Sequence, residues 1–152
     1  MKKFIDECPI QVRSGHGGPG CVSFRREKYV PQGGPDGGDG GRGGDVEFIA
    51  DPTIKTLYDI RRRKHFHAKN GVSGMGRNKT GEKGESVEVH LPVGTIVRES
   101  EGGSIVIDLD TPGKRYLAAK GGKGGLGNQH FATAVRQVPR YAQPGLPGEE
   151  RE

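Results

Sequence analysis

Gly33-Gly34-Pro35-Asp36-Gly37-Gly38-Asp39-Gly40-Gly41-Arg42-Gly43-Gly44 is the stretch on which the reading of this chain turns. Gly34, Gly37, Gly40 and Gly43 recur at every third residue, and Gly38, Gly41 and Gly44 keep a second register one residue later. Three residues per turn is the repeat of the polyproline-II helix, so glycine at every third position leaves one face of that helix without side chains. Backbones can then close on one another through N–H···O and weak Cα–H···O contacts. The competing reading is a flexible glycine-rich linker. Three features count against it. The period returns at Gly121, Gly124 and Gly127, and again at Gly71 with Gly74 and Gly81 with Gly84. The clusters carry few serines, and each runs back into strand-like sequence, so both ends are tethered.

Outward from the glycines the pattern changes to period two. Ser86-Val87-Glu88-Val89-His90-Leu91-Pro92-Val93 puts Val87, Val89, Leu91 and Val93 on one face, as a half-buried strand does. Ser104 to Asp110 repeats this with Ile105, Ile107 and Leu109, and Val46–Ala50, Ile10–Val12 and Arg115–Ala119 are further candidates. Pro92-Val93-Gly94-Thr95 and Ser100-Glu101-Gly102-Gly103 read as turns. The best helical stretch, Ile54 to Ile60, is short and uncapped. The expected architecture is mainly β, a small barrel or sandwich carrying three glycine-rich insertions.

Composition agrees with that organisation and removes several classes. The chain has 152 residues with 28 glycines and 10 prolines, yet glycine is too sparse outside its clusters for a continuous collagen repeat. No run approaches the ~20 apolar residues of a membrane-spanning helix. The start, Met1-Lys2-Lys3-Phe4-Ile5-Asp6-Glu7, holds no apolar signal segment, so a cytoplasmic protein is expected. Cys8 and Cys21 do not make a disulfide framework, and with His16 they match no compact zinc spacing. No metal site and no catalytic residue is expected in this chain.

The run Ser23-Phe24-Arg25-Arg26-Glu27-Lys28-Tyr29, continued through Pro31 into the glycine stretch, closely resembles the N-terminal domain of the Obg family of GTPases. The likeness extends through Asn70-Gly71, Gly81 to Glu85, Pro92-Val93-Gly94-Thr95, Gly121 to Asn128 with Phe131, and Gly145 with Gly148-Glu149. Ser86, where members often carry Asp, and Cys8-Pro9 in the first strand depart from the pattern. The resemblance implies an eight-stranded β-barrel bearing a bundle of polyproline-II helices over residues 1–152. The three-residue period makes Gly34, Gly37, Gly40, Gly43, Gly121, Gly124 and Gly127 structural glycines. The resemblance also implies a parent whose GTPase domain follows, so the chain reads as an excised N-terminal domain. GTP and magnesium would be bound by that parent and not by this fragment.

The phosphate-cradling string G-x-x-x-x-G-K-[ST] does not occur here, so no nucleotide-binding residue is assigned. Asp110-Thr111-Pro112-Gly113 imitates a D-x-x-G switch loop, but Pro-Gly is better explained as a turn between strands.

Charge points to nucleic acid. Lys55 to Lys79 holds eight basic residues against Asp59 alone, the footprint of a phosphate-binding surface. Glycine-rich tips with single cations let backbone amides and Lys or Arg approach phosphates. The RNA-binding candidates are Arg25, Arg26, Lys28, Lys69, Arg77, Lys79, Lys123, His130 and Arg136. Arg61 to Lys64 reads equally as a solvated basic face, and Arg25 and Arg26 can instead pair with Glu27, Asp36 or Asp39. His65-Phe66-His67 would put two imidazoles on one face of a strand, and packing is the expected role of Phe24, Tyr29, Phe66 and Phe131.

The resemblance implies a ribosome-targeting module whose glycine-rich loops reach rRNA of the large subunit, in ribosome assembly and stress control. The alternative is a protein-docking module that contacts the parent's own GTPase domain or a stress-signalling partner. A scaffold or ice-binding protein built only from polyproline-II helices is a third reading, opposed by the strand-rich remainder. A monomer is expected.

Overall fold

The computed structural model of the chain describes residues 7–24, 34–100, 102–131 and 150–151. Its elements are β1 (Gln11–Arg13), β2 (Val46–Ala50), α1 (Tyr58–Arg63), β3 (His65–His67), β4 (Val87–Leu91), β5 (Thr95–Arg98), β6 (Ile105–Leu109), β7 (Arg115–Ala119) and β8 (Glu150–Arg151), with a 3-10 turn at Asn128–Phe131. The strands form sheets of order β3-β1-β8 and β4-β2-β7 and a separate β5-β6 hairpin. A closed barrel is therefore not what the hydrogen bonds among the described residues draw. The strands are short, and pairing slips between Val46 and Glu47 and between Val97 and Arg98. Such bulges bend a strand and increase its local twist, while the pairing resumes beyond each one.

One apolar cluster joins the three sheets. Val12 and Phe66 come from the first, Val46, Phe48, Val89, Leu91, Ala118 and Ala119 from the second, and Leu109 from the hairpin. Leu91, Leu109, Val46 and Val89 are fully buried. Each such aliphatic side chain contributes about 1.5–3 kcal/mol by leaving water. The alternation in 87–91 is realised, with Val89 and Leu91 inward and Glu88 and His90 exposed. Thr95–Arg98 is a strand that the turn signals at Pro92 and Gly94 obscured.

The helix begins later than the sequence suggests. Thr53 donates from its amide and its hydroxyl to Asp51 Oδ1, at 2.8 and 2.6 Å, and Ile54 N–H donates to Asp51 C=O. That turn occupies the residues where the helix would start, so α1 runs over Tyr58–Arg63 with Arg61, Arg62 and Arg63 in its last turn. Cations there suit the negative end of the helix dipole.

Every glycine cluster is continuous with a strand. Segment 15–21 follows β1, 36–45 precedes β2, 69–75 follows β3, 79–85 precedes β4 and 121–128 follows β7. The sheet pairings extend into these segments as transverse layers. Nearest the strands, Gly15 donates to Gly44, Gly44 to Lys69, Lys69 to Glu85 and Gly122 to Gly15. Three residues on, Gly18 donates to Gly41, Gly41 to Val72, Val72 to Glu82 and Gly125 to Gly18. Three further, Cys21 donates to Gly38, Gly38 to Met75, Met75 to Lys79 and Asn128 to Cys21. These backbone bonds span 2.8–3.1 Å. A strand would offer its amides to one neighbour at every second residue, whereas a step of three is the polyproline-II repeat.

Segment 36–45 lies at the centre and exchanges hydrogen bonds with the other four. This explains its doubled glycines. A Cβ on Gly37, Gly40 or Gly43 would fall on the carbonyls of Cys21, Gly18 and Gly15, and one on Gly38, Gly41 or Gly44 on those of Lys79, Glu82 and Glu85. Gly121, Gly124 and Gly127 face the carbonyls of Gly43, Gly40 and Gly37 in the same way. Gly34 is the exception among the expected structural glycines. Among the described residues nothing lies within 4 Å of its Cβ position, because it precedes the last layer of the bundle.

Candidate nucleic-acid interface

The bundle is pinned from the strands to its tip, the end away from the strands, by the slot of segment 36–45 that is not glycine. Asp36, Asp39, Arg42 and Asp45 fill it at steps of three. Asp45 Oδ1 accepts the Gly121 amide at 2.6 Å, near the strands. Asp39 Oδ1 accepts the Gly127 amide at 2.8 Å. Asp36, 6% exposed, accepts the Arg77 amide on Oδ2 at 3.1 Å and the Asn78 amide on its backbone carbonyl at 2.7 Å. Its other carboxylate oxygen has no hydrogen-bond partner among the described residues. Asn128, fully buried, closes the tip, with Oδ1 accepting the Gly37 amide at 2.8 Å and Nδ2 donating to Ser23 C=O at 3.0 Å. None of these pins was named as a site residue from sequence. The signal available was the three-residue spacing of the polar slot itself.

These contacts hold the turn from Met75 to Lys79, where Arg77 and Asn78 have φ of 61° and 57°. Left-handed backbone is uncommon outside glycine, although Asn adopts it more readily than most residues. The turn projects Arg77 and Lys79 into solvent. Lys123 is exposed lower on the bundle, between Gly122 and Gly124. Lys69 belongs to the layer nearest the strands, two turns or about 19 Å of polyproline-II rise from Met75. Its Nζ lies 3.8 Å from Glu85, with both side chains largely in water. An ion pair so exposed contributes little. His130 is engaged by Asp39, Nε2 to Oδ1 at 2.9 Å. Arg25, Arg26, Lys28 and Arg136, like Tyr29, lie outside the described residues.

The basic run from Lys55 to Lys79 is divided by the fold. Arg61, Arg62 and Arg63 lie on α1 and Lys64 at its end, among the strands, while Arg77 and Lys79 are at the opposite tip. The Arg63 guanidinium sits 4.6 Å from the centre of the Phe66 ring, and Phe66 itself is buried. His65 and His67 do share an exposed face with rings 5.8 Å apart, and His65 Nδ1 lies 2.9 Å from Gln11 Oε1. Among the described residues no group of three or more His, Cys, Asp or Glu could hold a metal. Burial pushes the Cys8 thiol up, with Arg61 pulling the other way, and both cysteines are free. Pro112-Gly113 is a turn between β6 and β7, with Gly113 at φ 81° donating to Ala50 C=O. No helix of the described residues is long and apolar enough to cross a membrane.

Comparison with known proteins bears on the whole chain. The GTP1/OBG family model matches residues 5–152. Similar curated proteins are the "GTPase Obg" of Desulforapulum autotrophicum, 55% identical over 148 residues, and that of Syntrophus aciditrophicus, 56% identical over 149. These alignments cover 97% and 98% of this chain but 43% and 44% of the relatives. The "GTPase Obg" of Chlorobaculum tepidum is 55% identical over 150 residues, 99% of this chain and 45% of its own. The chain thus spans less than half the length of these relatives.

Proposed function

This chain belongs to the GTP1/OBG family, and on that premise we propose that it is the RNA-contacting N-terminal domain of a longer GTPase, which it directs to the large ribosomal subunit during assembly and under stress. The observation that carries the reading is the tip turn, where Asp36 and Asn128 fix a rigid bundle that presents Arg77 and Lys79 without acidic partners among the described residues. A bundle held by backbone bonds delivers its cations to phosphate with little ordering entropy left to lose. RNA of irregular shape accepts such a projection where a duplex surface would not. In this reading the β body is three sheets about one apolar core, and the work is cytoplasmic. GTP and magnesium belong to other residues of the parent, and this domain supplies no step of the hydrolysis.

The α1 face supports a second reading. Arg61, Arg62 and Lys64 are exposed and make no ion pair among the described residues. They stand at the opposite end from the tip, where the parent's own GTPase domain could dock. Co-sedimentation of the purified chain with large ribosomal subunits across a salt series tests the first reading. Binding at low salt that declines linearly on logarithmic axes supports it. No binding at any salt concentration overturns it and leaves docking.

A further inference from the structure

Among the described residues the bundle has no apolar core. Its interior is glycine backbone against carbonyl oxygen, so any aliphatic side chain in these segments must point outward. Two of the large exposed hydrophobic residues lie here, Val72 at 47% and Met75 at 49%. Val72 and Met75 are three residues apart, hence on one face of segment 69–75, and Lys69 continues the same row toward the strands. The row ends at the turn that carries Arg77 and Lys79. Segment 15–21 runs beside it in parallel, with Gly71 donating to His16 and Gly74 to Pro19. The side of segment 69–75 that faces it is the one carrying Asn70, whose Oδ1 accepts the His16 amide at 2.8 Å. On the other side, Glu82 and Glu85 of segment 79–85 repel phosphate.

We infer that this row is a track for a single RNA strand, with unpaired bases laid on Val72 and Met75 and phosphates held by Arg77 and Lys79 at the tip. The inference rests on the RNA-contacting reading above and names the kind of RNA. A single strand can turn its bases onto an apolar row while its phosphates meet flanking cations. A duplex keeps its bases stacked inside, offers only phosphates and sugars, and leaves the row in water. The cations alone would serve either form, so the aliphatic residues carry the discrimination.

The experiment measures binding of the purified chain to a labelled single-stranded RNA and to the duplex of equal length, across a salt series. The single strand is expected to bind more tightly at every salt concentration. Val72→Ser with Met75→Ser should weaken single-strand binding about three- to tenfold, from the apolar area no longer covered, and leave duplex binding and the salt slope unchanged. Arg77→Ala with Lys79→Ala should reduce the slope by about 1.4 for the single strand and about 1.8 for the duplex. All these side chains are exposed, and an unchanged melting temperature verifies that each variant folds. Equal binding of the two RNA forms, or a serine variant that keeps the wild-type preference, overturns the single-strand track while RNA contact stands. Absence of salt-dependent binding to either form, or equal binding of polyglutamate, overturns the RNA-contacting reading as well.

Discussion

Gly40 and Gly18 stand back to back, and the place where a Cβ of Gly40 would be is already occupied by the carbonyl of Gly18. Gly18 in turn hydrogen-bonds Gly41 and accepts from Gly125, so neither backbone can retreat without breaking a layer.

Gly40→Ala is therefore expected to destabilise the chain by at least the overpacking range of about 1–3 kcal/mol. Gly34→Ala, with open space at its Cβ position, should be neutral or slightly stabilising. Thermal unfolding followed by circular dichroism compares the two. Equal melting temperatures would show that the segments do not pack as described.

Asn128→Ala removes the acceptor of the Gly37 amide and the donor to Ser23 in a fully buried place. Unsatisfied partners left there should cost about 1–3 kcal/mol. The loss should be read from the urea midpoint at unchanged m. Because Asn128 pins the tip, hydrogen exchange at Gly37 should accelerate beyond the global change.

Gly94→Ala meets a different obstacle. No atom lies near its Cβ position, but its φ is 93°, where a side chain is strained. The expected cost is about 1–2 kcal/mol without any loss of bundle order. A scan in which Gly94→Ala matches Gly34→Ala would contradict that conformation.

Asp51 holds its proton below the ordinary carboxylate range, chiefly through the hydroxyl and then the amide of Thr53, with His90 adding to the effect. A lowered folded-state value means that its contribution is present above the ordinary range and is lost as pH falls through the lowered value. Thr53→Ala should shift the Asp51 titration upward, toward the ordinary range, in a carboxyl-detected NMR series. An unmoved titration would assign the effect to His90 instead.

Removing Arg77, Lys79 and Lys123 together should flatten the salt dependence of rRNA binding by about 2–3 on logarithmic axes, one phosphate each. Lys69→Ala should add little at the tip, because Lys69 belongs to the layer nearest the strands and shares Glu85. A Lys69→Ala effect as large as the triple change would place the phosphates at the wrong end of the bundle.

Much of this molecule was legible in order of residues alone. The step of three between Gly37, Gly40 and Gly43 announces a polyproline-II face because each turn must repeat whatever its neighbour requires. The step of two from Val87 to Leu91 announces a half-buried strand for the same reason. Both are local periodicities, and local geometry sets them. The doubled register of Gly38, Gly41 and Gly44 was visible too, but its cause was not, since it follows from segment 36–45 having neighbours on several sides.

Tertiary structure decided what no period encodes. It separated Arg61 to Lys64 from Arg77 and Lys79, although they lie close in sequence, because α1 sits among the strands while segment 69–75 carries the chain out to the tip. It left Gly34 free and crowded Gly37, two members of one register, because only the second lies opposite a carbonyl. It also grouped the strands into three sheets, with register slips inside two of the pairings, neither of which side-chain alternation reveals. Periodicity fixes which face of a segment is bare. Which carbonyl fills that face depends on the lateral neighbours, and those are chosen by packing over the whole chain.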